Sequence, residues 1–431
     1  MPLSLTKLWH RLFLEERSSV GISFFRIFVA LTVGFHVIPS FFHLEDNFLS
    51  ASFREINLSF FTPDLVLWVQ KSPDILVYFF VALFCVFWFM FLVGLFSQVS
   101  CILMTLSCYY FYALNCCHIG TLSWDILLVT LFLMCVTNYH SDYFSLDSLR
   151  RHDLFAYRKK NPFFIQRLLQ MQIASTYFYT ALYKITGSGN WLSDNPIYYL
   201  MNYPPEGVTK EFIFRGFFAA HPALCYTVGV VIVMMEILLP FLLFIRRTRV
   251  FAIVMGFFFH ILLIVTLHVP TIFFFLFPAQ LLLFINPEVI VKWVEEKRAR
   301  HESEGQAKII YDGHCQFCLA SIEKLGIMDL FGYLKKIDFH EVADAKTLHP
   351  YLTHELCRSQ LHLIEPDGGL YGGFFVFRRL CFKMPMLYAI LPVVYFPGMS
   401  IIGPLVYRWV AKNRYLFHFN QICKDNACFR H

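Results

Sequence analysis

A chain of 431 residues that is 57% hydrophobic and 15% charged, with 51 phenylalanines, is too apolar for one soluble domain of its length and reads as a membrane protein. Its net charge of +6 is accounted for by retention at a membrane face and makes no case for nucleic-acid binding. Thirteen cysteines, an odd number in a chain whose soluble part reads as cytoplasmic, argue against a structural disulfide framework.

Residues 1–19 set Leu5, Leu8, Trp9, Leu12 and Phe13 against Lys7, His10 and Arg11, the pattern of an amphipathic segment lying at a membrane interface, though a frayed tail fits the same residues. Eight apolar runs follow, near 22–39, 75–96, 99–115, 124–137, 168–185, 226–245, 250–267 and 271–285. Each is long, or nearly long, enough to cross a hydrocarbon core that needs about 20 helical residues; the fourth and the last are short. An even count puts both termini on one side. That side holds eleven cations, Lys7, Arg11, Arg17, Arg150, Arg151, Arg158, Lys159, Lys160, Arg246, Arg247 and Arg249, against Arg54, Lys71, Lys210 and Arg215 opposite. Cationic loops stay in the cytoplasm, so both termini are expected there. Arg26 lies within the first run and no small-residue cleavage site follows, so that run reads as a retained anchor and not a signal peptide. Cys85, Cys101, Cys108, Cys116, Cys117, Cys135 and Cys225 sit in or beside the runs and read as small core residues.

Ionisable groups at membrane depth are costly, which makes Asp125, Lys184, Glu236, His260 and His268 site candidates. Structural alternatives stand beside each. Lys184 ends its run, where a snorkelling lysine is common, and Asp125 starts its run as an N-cap would. Glu236 is surrounded by apolar residues and must be paired or neutral. His260 and His268, two turns apart, would share one helix face.

After residue 287 the composition becomes that of a soluble protein. Residues 288–306 read as a charged, solvated helical linker ending at Gly305, and 307–431 as a second domain. There 308–311 reads as a strand, 318–330 as a helix, 334–339 as a strand, 342–348 as a second helix, and 360–365 with 370–372 as a hairpin about Pro366-Asp-Gly-Gly369. That order is the order of a thioredoxin-like α/β fold. The apolar stretch 381–410 is interrupted by Pro385, Pro392, Pro397 and Pro404 and leaves no spanning length; it packs in the small core or docks on the bilayer, the first being favoured.

Cys315 and Cys318 flank a Gln-Phe pair where the first strand gives way to the helix. A cysteine at a helix N-terminus has its thiolate stabilised by unpaired N–H groups, so Cys315 is expected to be the exposed nucleophile and Cys318, a turn inside, the resolving thiol. Asp312 would relay protons or accept a hydrogen bond near the sulfurs, or cap the following turn; His314, if protonated, would lower the thiolate pKa further. The alternative is a zinc half-site completed by Cys423 and Cys428, whose four-residue gap is wider than usual, and those two also read as free thiols or a shuttle pair. No metal ligand set is assigned.

Two resemblances follow from these residues. Tyr311-Asp-Gly-His-Cys-Gln-Phe-Cys318, with Glu365-Pro-Asp-Gly-Gly-Leu-Tyr-Gly-Gly373 and Tyr407-Arg-Trp-Val-Ala-Lys-Asn-Arg414, resembles the DCC family of thiol-disulfide oxidoreductases, named for an Asp and two Cys. Unlike thioredoxins, the chain has no proline immediately before the 360–365 strand. Tyr143-Phe-Ser-Leu-Asp147, Tyr177-Phe-Tyr-Thr-Ala-Leu-Tyr-Lys-Ile185 with Trp191, Phe259-His260 and Asn286-Pro-Glu288 resemble the HTTM domain, the membrane module of vitamin K-dependent gamma-carboxylase, over 20–287. By that resemblance Lys184 matches a lysine that acts as a base on a reduced quinone. The family's Lys-Lys pair is Tyr183-Lys184 here, and the lumenal domain that grips protein substrates is replaced by the thiol domain, so glutamate carboxylation is not expected.

The expected protein is a polytopic α-helical membrane domain of about eight transmembrane helices joined to a small thioredoxin-like domain. Its first expected function is a membrane-anchored oxidoreductase with a cytoplasm-facing dithiol, catalytic residues Cys315, Cys318 and Asp312, and no cofactor needed for the dithiol chemistry. Its partners would be membrane lipid and a protein or small-molecule disulfide. A second expectation is an integral membrane enzyme acting on a quinone or lipid through Lys184, Glu236, His260 and Asp125, with the thiol domain as redox partner. A third is a non-catalytic, metal-holding scaffold.

Overall fold

The computed structural model describes residues 5–50, 52, 61–115, 121–151, 158–187, 190–203, 213–269 and 272–414. The chain divides into two compact units, Met1–Asp147 with Tyr157–Glu288, and Ser148–Ala156 with Val289–His431.

The first unit is helical. Helical turns over Leu5–Trp9 and His10–Leu14 leave Leu8, Trp9 and Leu12 exposed, and then β1 (Glu16–Ser18) pairs antiparallel with β2 (Lys160–Pro162). A helix stands at each of the eight apolar runs: α1 (Val20–Val37), α2 (Asp74–Val93), α3 (Ser97–Leu114), α4 (Thr121–Cys135), α5 (Phe164–Thr186), α6 (Pro222–Phe244), α7 (Arg249–Thr266) and α8 (Ile272–Leu282). Among the described residues, α1 with its extension to Asn47, α2, α6 and α7 are long and apolar enough to cross a membrane, and a fifth arises if α8 and α9 (Pro287–Glu304) form one broken span. Four to five is short of the expected eight, for two physical reasons. α4 has 15 residues and α8 only 11, while α3 and α5 have the length but carry many Ser, Gln, Tyr and Cys side chains.

Those polar side chains complete the backbone where helices break, which an apolar surround demands. Gln166 and Gln170 donate to the Leu283 carbonyl at 2.6 and 2.8 Å, just past the end of α8. The buried Arg26 guanidinium donates to the carbonyls of Phe91 and Phe144 and, at 2.8 Å, to that of Leu92, closing the C-terminus of α2, whose last carbonyls have no helical donors. Asp147 accepts the Phe96 and Ser97 N–H groups at 2.9 and 2.7 Å and so serves the N-terminus of α3. Around these caps Phe25, Phe48, Phe84, Phe91, Phe111 and Trp124 are fully buried.

In the second unit, β3 (Ala307–Tyr311), β4 (Leu334–Asp338), β5 (His362–Ile364) and β6 (Leu370–Gly372) form a mixed sheet of order β4-β3-β5-β6. β3 and β4 are parallel and joined by α10 (Gln316–Met328); the other pairs are antiparallel. The period of two along β3 sends Ile309 to a core with Ile322, Leu325, Leu363 and Leu380, and Ile310 to a second cluster with Phe339, Leu352 and Cys357.

The helix expected at 342–348 is replaced by two short 3-10 turns, Phe339–Glu341 and Ala345–Thr347. Asp338 and Asp344 accept the N–H groups of His340 and Lys346, a local bond that competes with helix propagation. The helix forms later as α11 (His354–Ser359), capped by Thr353. After the hairpin come α12 (Phe374–Lys383), two short turns, and α13 (Met399–Lys412). From this stretch Met384, Leu387 and Val394 enter the core, while many other apolar side chains stay exposed.

Candidate functional site

The turn after β3 brings Cys315 to the N-cap of α10 in an extended conformation, where its Sγ accepts the Cys318 N–H at 3.4 Å. The sulfur takes the place that a Ser or Asp oxygen holds at ordinary helix starts. Gly313 makes the close turn possible: a Cβ there would lie 1.8 Å from Asp338 Oδ2, and the Gly313 N–H donates to Asp338 Oδ1 at 3.1 Å.

The hydrogen bond from the Cys318 thiol holds the Cys315 pKa down to about 7. The Cys318 backbone N–H and the Arg414 guanidinium act in the same direction, against burial and the Asp312 carboxylate. The same bond, reinforced by burial, pushes the Cys318 thiol far up. The first proton lost by the pair near neutral pH therefore leaves its charge on Cys315.

Exposure is reversed from the expectation. Cys315 is 1% exposed, and of the two sulfurs it is Cys318 that lines a small open pocket, with Cys357 further along its wall. Phe317, Leu361, Phe377, Tyr407 and Val410 give that pocket an apolar wall, and Asp312 and Arg414 contribute its charged part. Gln360 also lines it.

Asp312 is the hub of a polar chain and does not cap α10. Its Oδ1 accepts the His314 N–H at 3.1 Å and faces His340 Nε2 at 3.0 Å, and its Oδ2 accepts from Arg414 at 3.0 Å. Arg414 also donates to the Arg358 carbonyl at 2.9 Å and reaches Cys318 Sγ at 3.8 Å. His314 stacks on His340, with centroids 3.8 Å apart. Arg414 and His340 are the additions to the sequence reading. Arg414 closes the Tyr407-to-Arg414 motif just past the end of α13, but nothing local announces a contact 102 residues away. Cys423 and Cys428 lie outside the described residues, and among the described residues no three His, Cys, Asp or Glu side chains converge as metal ligands.

In the helical unit the candidates divide into three pairs. Lys184 of α5 donates to both carboxylate oxygens of Glu236 of α6, at 2.8 and 2.7 Å, and stands 5.3 Å from the Trp191 ring centre. It is the half-buried partner of a buried carboxylate, which could not remain charged alone there. His260 of α7 meets the Tyr177 hydroxyl at 2.6 Å, against Phe273 and Phe277. Tyr177 and Lys184 are seven residues apart on α5, about two helical turns. Asp125 lies within the second turn of α4 and accepts from the Tyr112 hydroxyl at 2.7 Å, so it is no N-cap and belongs to neither other pair. α7 ends at Thr266, which places His268 beyond the helix and off the face of His260.

Two family models match. The HTTM domain matches residues 15–289 and the DCC1-like thiol-disulfide oxidoreductase matches residues 309–419. Neither the search of curated proteins nor that of solved structures found a match.

Proposed function

We propose that this chain, which belongs to the HTTM family and carries a DCC1-like thiol-disulfide oxidoreductase domain, is a membrane-anchored reductase of disulfides working through Cys315 and Cys318. The observation that carries the reading is the capped Cys315 sulfur, with a pKa near 7 and a neighbouring thiol held protonated. In the reaction the Cys315 thiolate attacks one sulfur of a substrate disulfide and releases the other as a thiolate, which takes up a proton. Cys318 then gives up its proton and displaces the second substrate sulfur, forming the Cys315–Cys318 disulfide; two electrons pass to the substrate. Because Cys315 is buried, its sulfur must leave the cap for the first step, and Asp312 with Arg414 positions the turn from which it swings. A parallel β–α–β pair followed by an antiparallel hairpin supports a thioredoxin-like assignment. The helix at each apolar run and the bias of cations to one set of loops support eight spans with both termini in the cytoplasm. There the dithiol is the resting state.

Trapping tests this reading. Cys318→Ala in cells should accumulate mixed disulfides that depend on Cys315; absence of any Cys315-dependent adduct would remove the proposal, and adducts formed by Cys315→Ala through Cys318 would reverse the two roles.

The Lys184–Glu236 pair favours a second reading, in which the helical unit acts on a quinone or lipid. Transfer of the Lys184 proton to Glu236 would free an amine to act as base, with His260 and Tyr177 two turns away. Lys184→Ala should then abolish turnover of a quinone while leaving the dithiol titratable, and an unchanged turnover would reduce the unit to an anchor.

A further inference from the structure

The face of α13 opposite the dithiol is built as a membrane contact. Gly403, Tyr407, Val410 and Ala411 follow one side of the helix, with Arg414 just past its end, and Tyr407 is fixed there by accepting the Leu361 N–H at 3.0 Å. On the other side stand Ile401 (72% exposed), Ile402, Leu405 (54%), Val406 and Trp409, with Phe396 (66%) on the turn before. Isolated exposed apolar residues are ordinary, but five on one face of a 14-residue helix make a continuous patch. The only charged residues on that face are two exposed cations, Arg408 and Lys412.

The surrounding charge selects the occupant. From Gly368 to Arg414 the chain has no Asp or Glu, and it has six Lys and Arg. Arg379 and Arg414 are neutralised by Glu365 and Asp312, and Lys383 stands 4.0 Å from Glu365; among the described residues no ion pair holds Arg378, Arg408 or Lys412. An apolar face with tryptophan and cations only is complementary to a bilayer surface bearing anionic headgroups, where the hydrocarbon enters the acyl boundary and the basic stems reach phosphate. The HTTM part holds the same chain at a membrane, so a bilayer is present at high effective concentration.

We propose that α13 docks by its Ile401, Leu405 and Trp409 face on an anionic lipid surface. This docking does not depend on the dithiol reading, and it assigns the outer face of the helix whose inner face lines the Cys318 pocket.

The test uses the full chain in nanodiscs, with Leu405→p-benzoylphenylalanine as photo-crosslinker and Tyr351→p-benzoylphenylalanine, at an exposed position elsewhere in the small domain, as control. Lipid adducts read by mass spectrometry should form at position 405 in discs of phosphatidylcholine with phosphatidylserine, fall several-fold in phosphatidylcholine alone, and be scarce at position 351. Arg408→Gln and Lys412→Gln should each lower the docked-to-undocked ratio about fivefold. An unchanged urea midpoint of the full chain in pulse proteolysis certifies the fold of these variants. Adducts to a second copy, cross-links within the chain including 415–431, equal lipid yield at both positions, yield independent of headgroup charge, or no adduct at all would each overturn the proposal.

Discussion

Replacing Cys318 in two ways isolates the hydrogen bond on which the acidity of Cys315 rests. Cys318→Ser keeps a donor beside the Cys315 sulfur, whereas Cys318→Ala removes it; both lack the resolving thiol and so retain a mixed disulfide once formed. The bond from Cys318 is the largest contribution to a Cys315 pKa of about 7. Without it, burial and Asp312 return the thiol to about 8.5, its ordinary value, or above. A shift of about 1.5 units is roughly 2 kcal/mol, within the range for a hydrogen bond to a charged group.

The rates follow from that shift. At pH 7 the thiolate fraction falls from about one half to about 3%, but the more basic thiolate is intrinsically about fivefold more reactive, with a Brønsted coefficient near 0.45. The alanine variant should therefore react roughly threefold more slowly than the serine variant at pH 7 and about fivefold faster at pH 10, the curves crossing near pH 8. The sign is fixed by the depressed pKa: the serine variant's advantage in thiolate fraction is fully present below pH 7 and is lost as pH rises through the window from about 7 to about 8.5. The assay is the rate of mixed-disulfide formation with a small aromatic disulfide, resolved by peptide mass spectrometry across pH 5–10. Two profiles with one common midpoint would refute the argument, whatever their absolute rates, since access to the buried sulfur scales both curves alike.

Three further outcomes are expected. Arg414→Lys should destabilise the small domain by about 3 kcal/mol, because an ammonium cannot serve the Asp312 carboxylate, the Arg358 carbonyl and Cys318 together; pulse proteolysis in urea reads this, and an unchanged midpoint would show the fork to be dispensable. Gly313→Ala should cost about 2 kcal/mol by driving a Cβ into the Asp338 carboxylate and should slow the Cys315 reaction in the same preparation; a normal rate would mean the turn shifts freely. Glu236→Gln, by leaving the half-buried Lys184 beside a neutral amide, should lower the thermal midpoint of the full chain in nanodiscs more than the double variant Lys184→Met with Glu236→Met. Equal losses would show that the pair is not a desolvated unit.

Much of the fold was legible because its signals are local. Apolar run length located α1 to α8 of the first unit, a short apolar run located β3, and the Pro366-Asp-Gly-Gly369 turn located the hairpin. Crossing a membrane was harder to read, since α3 and α5 interleave apolar residues with Gln, Ser and Tyr that a hydropathy count treats as exposed. In the folded chain those side chains bind backbone at broken helix ends, as Gln166 and Gln170 do at Leu283. The missing helix at 342–348 failed for the opposite reason: Asp338 and Asp344 bond the backbone two residues ahead, and apolar spacing does not register that competition.

At the site, spacing placed two sulfurs one turn apart, and a helix start lowered the pKa of the first, but neither argument contains the direction of the Cys315 side chain. In the folded chain the Cys315 sulfur that accepts the Cys318 N–H is also 1% exposed, so the stabilised thiolate is a buried one. Acidity and accessibility, which the sequence reading joined in Cys315, are divided in the structure between Cys315 and Cys318. The Arg414 fork spans that division, holding Asp312 behind the first sulfur while touching the second. Movement of Cys315 out of the cap gives up the Cys318 N–H, and the exposed thiolate then has a higher pKa and greater nucleophilicity than the capped one. On the proposed dithiol chemistry, a disulfide entering the pocket beside Cys318 would thus meet the stronger nucleophile only when the cap opens, and the rate of that opening would set the ceiling on turnover.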